Sequence, residues 1–339
     1  MAAIVLADDG LPFDGLTADE RPLGGAETAF AALAAALAAR GHGVRAFARG
    51  ARRIEHAGVA WAPVEGGVPE TADLYVANRG HRVLALCRRA RRVAFWIHNP
   101  ARYLLKWRYQ WPLLRRRPTL VFAGPWHAAT YPAWGMGGRR AIIPLGVTPP
   151  FLGMAERPPP PPVAVFTSNP LRGLDGLLDL WVGRVLAAVP GAVLRVYGGG
   201  AVYGDAALAA RMAPVLARAA AAPGVELCGP LAKPALAAAL ATARIFVYGG
   251  DRNETFCLAA AEAQAAGLPA VVGAVAALPE RVRDGETGSV AADDAAFAAA
   301  TVRLLVDDAL WRRQHRAALA AAAGAGWDVA AARFERLAA

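Results

Sequence analysis

Short apolar runs alternate with helical segments along this chain, and the alternation is broken once by a run of prolines. Before the prolines, the apolar runs occupy residues 4–7, 44–48, 74–77, 93–97, 120–123 and 142–145. Runs this short and this continuously apolar are typical of parallel strands that helices cover on both faces. We therefore predict an α/β fold built on doubly wound, mostly parallel sheets.

The proline run, Pro158–Pro162, divides the alternation into two halves. Polyproline is stiff and extended and contributes little to a core, so we expect residues 151–162 to link two domains. After the prolines, the apolar runs resume at residues 163–167, 192–197, 225–228 and 244–248. A chain of 339 residues suits two domains, each of about 150 residues. We predict Rossmann-like domains at 1–150 and 163–325 that face a cleft, and a C-terminal helix at 326–339 that packs back on the first domain.

The net charge of +10 and the isoelectric point near 10.2 favour anionic partners such as nucleotides, phosphorylated substrates or acidic lipids. Nucleic acid is not an expected partner, because the sequence has no recognition-module pattern and no flexible basic tail. Cys87, Cys228 and Cys257 are scattered and lack metal-ligand spacing, which favours reduced thiols in a cytoplasmic protein. The sequence has no signal-peptide pattern and no apolar run of about 18 residues, so we expect no membrane span.

Gly24 and Gly25 precede an Ala-rich helix predicted at 26–39. Adjacent glycines before a helix let a ligand approach the backbone closely, near the helix N-terminus. The segment does not contain G-x-G-x-x-G, so it is not a dinucleotide-binding fingerprint. A simple turn is the alternative interpretation.

Two histidines follow predicted strands. His98 comes directly after the strand at 93–97, and His127 follows Gly124-Pro125-Trp126. Doubly wound sheets bind ligands at the carboxyl ends of their strands, which makes both side chains candidates for ligand contact. A structural role is the alternative for each of them.

Basic and aromatic residues are interleaved at 102–117, and Arg88–Arg92 forms a second basic cluster upstream. This composition is typical of a surface that contacts a membrane interface or an acidic acceptor. We therefore expect peripheral membrane contact through residues 88–117, at the inner face of the membrane. The alternative is a solvated face whose aromatic side chains pack on their own domain.

Two glutamates, Glu254 and Glu262, are separated by seven residues in a segment that reads as a loop, a helix and a buried strand. We expect the helix to start near Thr255 and to stop at Gly267. Eight helical steps place the two carboxylates about 80° apart around the axis and roughly 12 Å apart along it. They can therefore line one wall of a cleft but cannot share a proton or a metal ion. A solvated surface helix is the alternative.

The residues expected near the cleft are of the types that a nucleotide-diphosphate sugar needs. They are Gly24, Gly25, Arg172, Lys233, Glu254, Thr255 and Glu262. Cations and helix N–H groups neutralise a diphosphate as it leaves, and a carboxylate can accept hydrogen bonds from both ribose hydroxyls. The sequence shows no metal-ligand triad.

These residues resemble the family 4 retaining glycosyltransferases, which have the two-Rossmann GT-B fold. The resemblance covers nearly the whole chain, through the segments 23–27, 143–147, 254–271 and 279–288. It implies a hexosyltransferase-type enzyme that needs no metal ion or other cofactor and transfers a sugar with retention, by a front-face mechanism. Its co-substrate would be a UDP- or GDP-sugar, and its acceptor a glycan, a lipid or a small molecule.

The resemblance also implies roles for individual residues. Glu254 lies beside the transferred sugar, Glu262 holds the ribose hydroxyls, and Gly25 lies under the diphosphate. His98 touches the donor sugar and shares in catalysis. The backbone amides expected near the sugar or the diphosphate are those of Phe256, Cys257 and Leu258.

The cations that bind the diphosphate depart from the family pattern. Arg172 stands where the family has lysine, and its forked donors suit a diphosphate. The family's other arginine is missing, since residues 166–169 are Phe, Thr, Ser and Asn. Lys233, on a different loop, is a candidate for the second charge.

Two other functions remain open from the sequence. A nucleotide-sugar epimerase or a phosphorylase can share this architecture, although a phosphorylase needs a lysine for pyridoxal phosphate and neither Lys106 nor Lys233 has a suitable context. The chain can also be a non-catalytic protein that binds sugar nucleotides or an anionic surface. The intact glutamate pair argues against a degenerate site.

Overall fold

The computed structural model describes residues 1–200 and 206–338. Residues 201–205, inside the predicted C-terminal domain, and Ala339, the last residue of the predicted C-terminal helix, lie outside the described residues. The chain divides into two compact units. The first consists of Met1–Glu20, Gly24–Gly146 and the C-terminal segment from Trp327, and the second of Arg21–Leu23 and Val147–Gly326.

The first unit contains an 8-stranded sheet. Its strands are β1 (Ala3–Asp8), β2 (Gly43–Ala48), β3 (Ile54–His56), β4 (Val59–Pro63), β5 (Thr71–Asn78), β6 (Arg89–Trp96), β7 (Thr119–Phe122) and β8 (Arg140–Ile142). Their order is β3-β4-β2-β1-β5-β6-β7-β8, and all neighbours are parallel except β3 and β4. The strand order reverses between β1 and β5, which makes the carboxyl ends of these strands the switch point of the sheet.

The second unit contains a 6-stranded, wholly parallel sheet. Its strands are β9 (Val163–Phe166), β10 (Val193–Val196), β11 (Val225–Leu227), β12 (Ile245–Tyr248), β13 (Ala270–Gly273) and β14 (Gly288–Ala291). The order β11-β10-β9-β12-β13-β14 is that of a Rossmann sheet. Its switch point lies between β9 and β12. The prediction of two doubly wound α/β sheets is confirmed.

Helices connect these strands. Those of the first unit are α1 (Thr17–Glu20), α2 (Gly25–Ala39), α3 (Trp107–Arg116) and α4 (Pro125–Ala129). Those of the second are α5 (Leu174–Leu180), a π-helical turn (Trp181–Val185), α6 (Leu186–Ala188), α7 (Ala206–Ala221), α8 (Lys233–Ala241), α9 (Leu258–Ala265), α10 (Asp294–Val306) and α11 (Asp308–Ala322). Short 3₁₀ helices occur at Val64–Gly66, Val83–Ala85, Ala101–Leu105, Pro149–Phe151 and Leu278–Glu280.

The proline-rich segment predicted as a linker packs on the second unit. Phe151 is buried in the core of that unit. Arg157 donates from its guanidinium to the carbonyl of Ala266 at 2.9 Å and from its backbone to His315 at 3.2 Å. These contacts make residues 151–162 part of the second unit rather than a free spacer.

The last helix, α12 (Trp327–Glu335), belongs to the first unit. The rings of Trp327 and Phe334 pack edge-on against Trp96 in β6, with ring centres 6.2 and 5.2 Å away. Glu335 pairs with Arg40 at the end of α2. An apolar face and an ion pair therefore hold α12 on the first sheet. None of the helices in residues 1–200 and 206–338 is long and apolar enough to cross a membrane.

Candidate functional site

Two loops meet at the switch point of the second sheet. One follows β9 and contains Arg172, and the other follows β12 and contains Glu254. The strands themselves are paired. Gly173 has φ +83°, and a Cβ there would lie 3.1 Å from the carbonyl oxygen of Gly250, so the loops approach each other too closely for most side chains. Ligands of doubly wound sheets bind at this position.

Glu254 is held in one orientation by three donors. Its Oε1 accepts the backbone N–H of Cys257 at 2.9 Å. Its Oε2 accepts the hydroxyl of Tyr248 at 3.2 Å and lies 3.4 Å from Nη1 of Arg172. The residue is only 8% exposed. A carboxylate that is fixed from the strand, the loop and the helix start is well placed to orient a ligand.

The helix in this segment begins later than the sequence predicts. We expected it to start near Thr255, but α9 begins at Leu258, and Thr255 and Phe256 lie in the loop before it. The reason is Cys257, which adopts the left-handed conformation with φ +63° and so cannot belong to the helix. Glu254 therefore lies outside the helix, and the helical spacing calculated for the two glutamates does not apply.

Glu262 lies inside α9, buried, and is paired with a cation. Nζ of Lys233, the first residue of α8, is 2.6 Å from its Oε1. The same Nζ lies 5.7 Å from the ring centre of Phe151. The sequence proposed Lys233 as a second cation for a diphosphate. The structure places it against the second glutamate instead, so the candidate residues form two pairs, Arg172 with Glu254 and Lys233 with Glu262.

Sequence reasoning missed two residues around Glu254. Tyr248 ends the apolar strand β12 and was assigned to the core by its neighbours, although its hydroxyl reaches the carboxylate. Arg281 lies in the segment after β13, whose Ala277 N–H donates to the carbonyl of Glu254 at 3.2 Å. Its guanidinium carbon lies 4.3 Å from the ring centre of Phe256. No spacing in the sequence singles out an arginine at this position.

A polar cluster occupies the switch point of the first sheet. Arg79 pairs with Asp8 at 2.7 Å and with Glu27 at 2.8 Å. Asn78 donates to Asp8 at 2.5 Å, and its Oδ1 lies 2.8 Å from Nε2 of His98. Of these five residues the sequence proposed only His98, because the others become neighbours only when β1, β5, β6 and α2 are assembled.

The cluster fixes the protonation of His98. The Asn78 amide nitrogen faces the Asp8 carboxylate, which can only accept, so its oxygen faces His98. A neutral His98 must then carry its proton on Nε2. Burial, followed by the charge of Arg79, holds the pKa of His98 well below its usual range. The ring is therefore neutral at physiological pH.

His127 has a structural position. Its Nδ1 accepts the N–H of Ala123 at 3.0 Å, and its Nε2 lies 2.9 Å from the carbonyl of Asn99. Burial lowers its pKa to about 4. It joins the ends of two strands and is wholly buried, which favours the structural alternative.

Gly24 and Gly25 mark the start of α2. Gly24 is extended, with φ −63° and ψ 154°, and its carbonyl accepts the N–H of Thr28 at 2.9 Å. Gly25 is the first residue of the helix. Within residues 1–200 and 206–338, no three His, Cys, Asp or Glu side chains are grouped so that they could hold a metal ion.

The interleaved basic and aromatic residues form one face of α3. Trp107 and Trp111 are 75% and 48% exposed, and their rings lie 6.1 Å apart. Arg115 lies over the ring of Trp111 at 5.7 Å. Arg116 donates to the carbonyl of Arg88 at 2.8 Å, so the two basic clusters of the sequence are neighbours. The opposite face, with Tyr109 and Leu113, is buried.

Residues 161–307 match the family model described as "Glycosyl transferases group 1". The D-inositol 3-phosphate glycosyltransferase of Streptomyces avermitilis is 46% identical to this chain over 81 residues. That stretch is 23% of this chain and 18% of the relative, so the match spans less than a fifth of the relative's length.

Solved structures match over nearly the whole chain. Sucrose-phosphate synthase from Thermosynechococcus elongatus has a TM-score of 0.76 at 18% identity, covering 98% of this chain and 97% of that one. HepE of Anabaena, solved with UDP-glucose, has a TM-score of 0.73 at 15% identity, covering 99% of each chain. At these identities the likeness establishes the fold, with two Rossmann-like sheets.

Proposed function

We propose that this chain is a retaining, metal-independent glycosyltransferase of the group 1 family, whose model matches residues 161–307. It moves a sugar from a nucleotide-diphosphate sugar to a glycan, lipid or small-molecule acceptor. The observation that carries this proposal is the orientation of Glu254, which three donors hold at the switch point of the second sheet. A carboxylate fixed in this way accepts hydrogen bonds from the hydroxyls of the transferred sugar.

The nucleotide binds along α9 in this proposal. Glu262 accepts hydrogen bonds from the ribose hydroxyls, and Lys233 orients its carboxylate across their 2.6 Å contact. The diphosphate lies at the start of α9, where the N–H group of Leu258 and the charge of Arg172 stabilise it as the leaving group, since the N–H of Cys257 is donated to Glu254. Retention follows from a front-face reaction in which the leaving phosphate takes the acceptor's proton.

Gly25 and His98 are further proposed contacts of the donor. Gly25 opens α2, and a residue without a side chain there allows a phosphate to approach the helix N-terminus. His98 contacts the donor sugar as a neutral imidazole. The HepE structure contains UDP-glucose, which supports a uridine nucleotide as the first donor to test here.

A donor screen tests the proposal. Release of nucleoside diphosphate is measured with UDP-, GDP- and ADP-sugars, with and without candidate acceptors. We expect turnover with at least one donor, a large loss of kcat in Glu254→Gln, and in Glu262→Ala chiefly a rise in nucleotide Kd. The proposal is overturned if the protein binds nucleotide sugars but turns over none of them, as a non-catalytic binding protein does, or if it interconverts the donor sugar without transfer, as an epimerase does.

The exposed face of α3 favours an acidic membrane surface as an additional partner. Trp107 and Trp111 place two indole rings in solvent beside Arg108 and Arg115. Indole rings and arginines together bind the boundary between acidic headgroups and acyl chains. We propose that this face holds the enzyme at the cytoplasmic surface of a membrane.

Vesicle sedimentation tests this contact. We expect binding to vesicles that contain phosphatidylglycerol, weak binding to phosphatidylcholine alone, and loss of binding in Trp107→Ala/Arg108→Ala. Trp134→Ala is the matched control, because Trp134 is equally exposed but lies outside α3. Unchanged binding in the double variant would remove the membrane from the proposal.

A further inference from the structure

Arg281 is a largely buried cation that makes no ion pair with any residue in the part of the chain that the structure describes. Its Nε is buried and makes no hydrogen bond to the described residues. Burial lowers the pKa of its guanidinium below the ordinary arginine value. Arg244, a buried arginine of the same unit, is by contrast paired with the carboxylate of Asp308. Desolvation has the largest effect on its pKa, and the carboxylate of Glu280 attracts the guanidinium without forming an ion pair with it.

The guanidinium of Arg281 lies next to the start of α9. Its Cζ is 4.3 Å from the ring centre of Phe256, the residue before the helix cap Cys257. The segment that carries it is joined to the Glu254 loop by the hydrogen bond from Ala277 N–H to the Glu254 carbonyl at 3.2 Å. Arg281 thus lies beside the loop that joins Glu254 to the helix N-terminus.

A buried guanidinium without a counter-ion is unfavourable, because desolvation of the charge is not offset by an attractive partner. Such a group is explained when an anionic ligand supplies the missing partner. The ring of Phe256, whose centre is 4.3 Å from Cζ, is an aromatic neighbour of the charge. The planar set of N–H groups of an arginine matches the oxygens of a phosphate. The N-terminus of α9 nearby favours the same sign of ligand charge.

We propose that Arg281 binds the diphosphate of the nucleotide-sugar donor and stabilises it as the leaving group. This inference rests on the proposed function, which supplies the anion. Arg281 is then the second cation of the site besides Arg172, which is paired with Glu254. Lys233 is paired with Glu262 and is not needed for this role.

The test compares Arg281→Gln with Arg283→Gln by titration calorimetry. Arg283 is two residues away, exposed and paired with Glu286 at 2.6 Å, so its substitution controls for a charge change in the same segment. The probes are UDP, GDP, ADP and inorganic diphosphate, each compared with the corresponding nucleoside monophosphate or with inorganic phosphate. We expect Arg281→Gln to raise the Kd of the diphosphate probes at least tenfold and the Kd of the monophosphate probes by a smaller factor. Arg283→Gln should change neither Kd.

Thermal unfolding without ligand separates this role from a structural one. Removing a buried cation that has no protein partner should leave the unfolding temperature of Arg281→Gln unchanged or higher, whereas loss of a structural contact lowers it. The inference is wrong if Arg281→Gln binds the diphosphate as the wild type does, and the proposed function then stands. If the wild type binds neither a nucleoside diphosphate nor inorganic diphosphate, the inference and the proposed function are both wrong.

Discussion

The hydroxyl of Tyr248 donates to Oε2 of Glu254 across 3.2 Å, and both side chains are buried. Ser168, in the loop after β9, hydrogen-bonds the same hydroxyl. Burial and then the charge of Glu254 raise the pKa of Tyr248, so the hydroxyl keeps its proton. Tyr248 therefore links the two loops of the switch point and positions the carboxylate proposed to contact the sugar.

We predict that Tyr248→Phe lowers kcat about tenfold, which corresponds to about 1.4 kcal/mol, while KM for the donor changes little. The aromatic ring stays in the core, but Oε2 of Glu254 loses the tyrosine hydroxyl and has Arg172, at 3.4 Å, as its remaining donor. Steady-state kinetics with the donor found in the screen measure both constants. Tyr75→Phe is the control, since that buried hydroxyl donates to the carbonyl of Val83 in the first unit. Equal losses in the two variants would mean that Tyr248 is only structural.

The ion pair of Lys233 and Glu262 predicts that substitutions of the two residues have non-additive effects on the free energy of unfolding. Lys233→Met leaves the carboxylate of Glu262, with its side chain 4% exposed, without its cation. We expect a loss of about 2 kcal/mol in the free energy of unfolding, because a buried charge without its partner is costly. Lys233→Met/Glu262→Gln removes both charges and should recover part of this loss. Urea unfolding of the two single variants and the double variant measures the coupling, and additive losses would contradict it.

The pKa of His127 predicts how stability changes with pH. Burial lowers this pKa to about 4 in the folded protein, whereas the unfolded chain has the ordinary value of about 6.5. Between these values the unfolded state binds more protons, so stability is fully present above about pH 6.5 and falls as the pH falls towards 4. From pH 7.5 to pH 5 we expect His127 to account for a loss of about 2 kcal/mol.

Urea unfolding at both pH values tests this dependence. His98, whose pKa is also lowered, contributes in the same direction and remains in the variant His127→Gln. That variant should therefore show a smaller loss between the two pH values than the wild type. Identical pH dependence in the two proteins would mean that His127 is not neutral when folded.

Much of the fold was predictable because its strands are covered on both faces and therefore consist of continuous apolar runs. The hairpin of β3 and β4 was missed for the opposite reason: Ile54–His56 is partly polar, and its turn places Ala57 at φ +50° beside Gly58. Alanine rarely adopts such a conformation, and Ala57-Gly58 lacks the Asn-Gly or Asp-Gly pattern that predicts a two-residue hairpin loop. The start of α9 was missed for the same kind of reason, since Cys257 occupies a position that favours glycine.

The candidate site was predictable where one short segment contains its residues. Glu254 and Glu262 belong to such a segment, and Arg172 follows a strand that the sequence identifies. Tyr248 and Arg281 were not predictable, because their roles depend on how β12 and the segment after β13 pack around one loop. Side-chain type alone favours the core for the first and the surface for the second.

The left-handed conformation of Cys257 gives a last prediction. The residue caps α9 with φ +63° and ψ 74°, and its N–H binds Glu254. A residue with a Cβ is strained there by roughly 1–2 kcal/mol, and glycine is not. Cys257→Ala keeps the strain and loses the packing of the sulfur, whereas Cys257→Gly loses the packing but relieves the strain. We therefore expect the glycine variant to exceed the alanine variant by about 1 kcal/mol in the free energy of unfolding.

Urea unfolding of both variants measures this difference, and nucleotide affinity provides a second readout. Because the backbone N–H of residue 257 orients Glu254 in either variant, both should bind the nucleoside diphosphate within a few-fold of the wild type. Lower stability in Cys257→Gly than in Cys257→Ala would show that the sulfur's packing neighbours, rather than the backbone conformation, determine which residue is tolerated before α9.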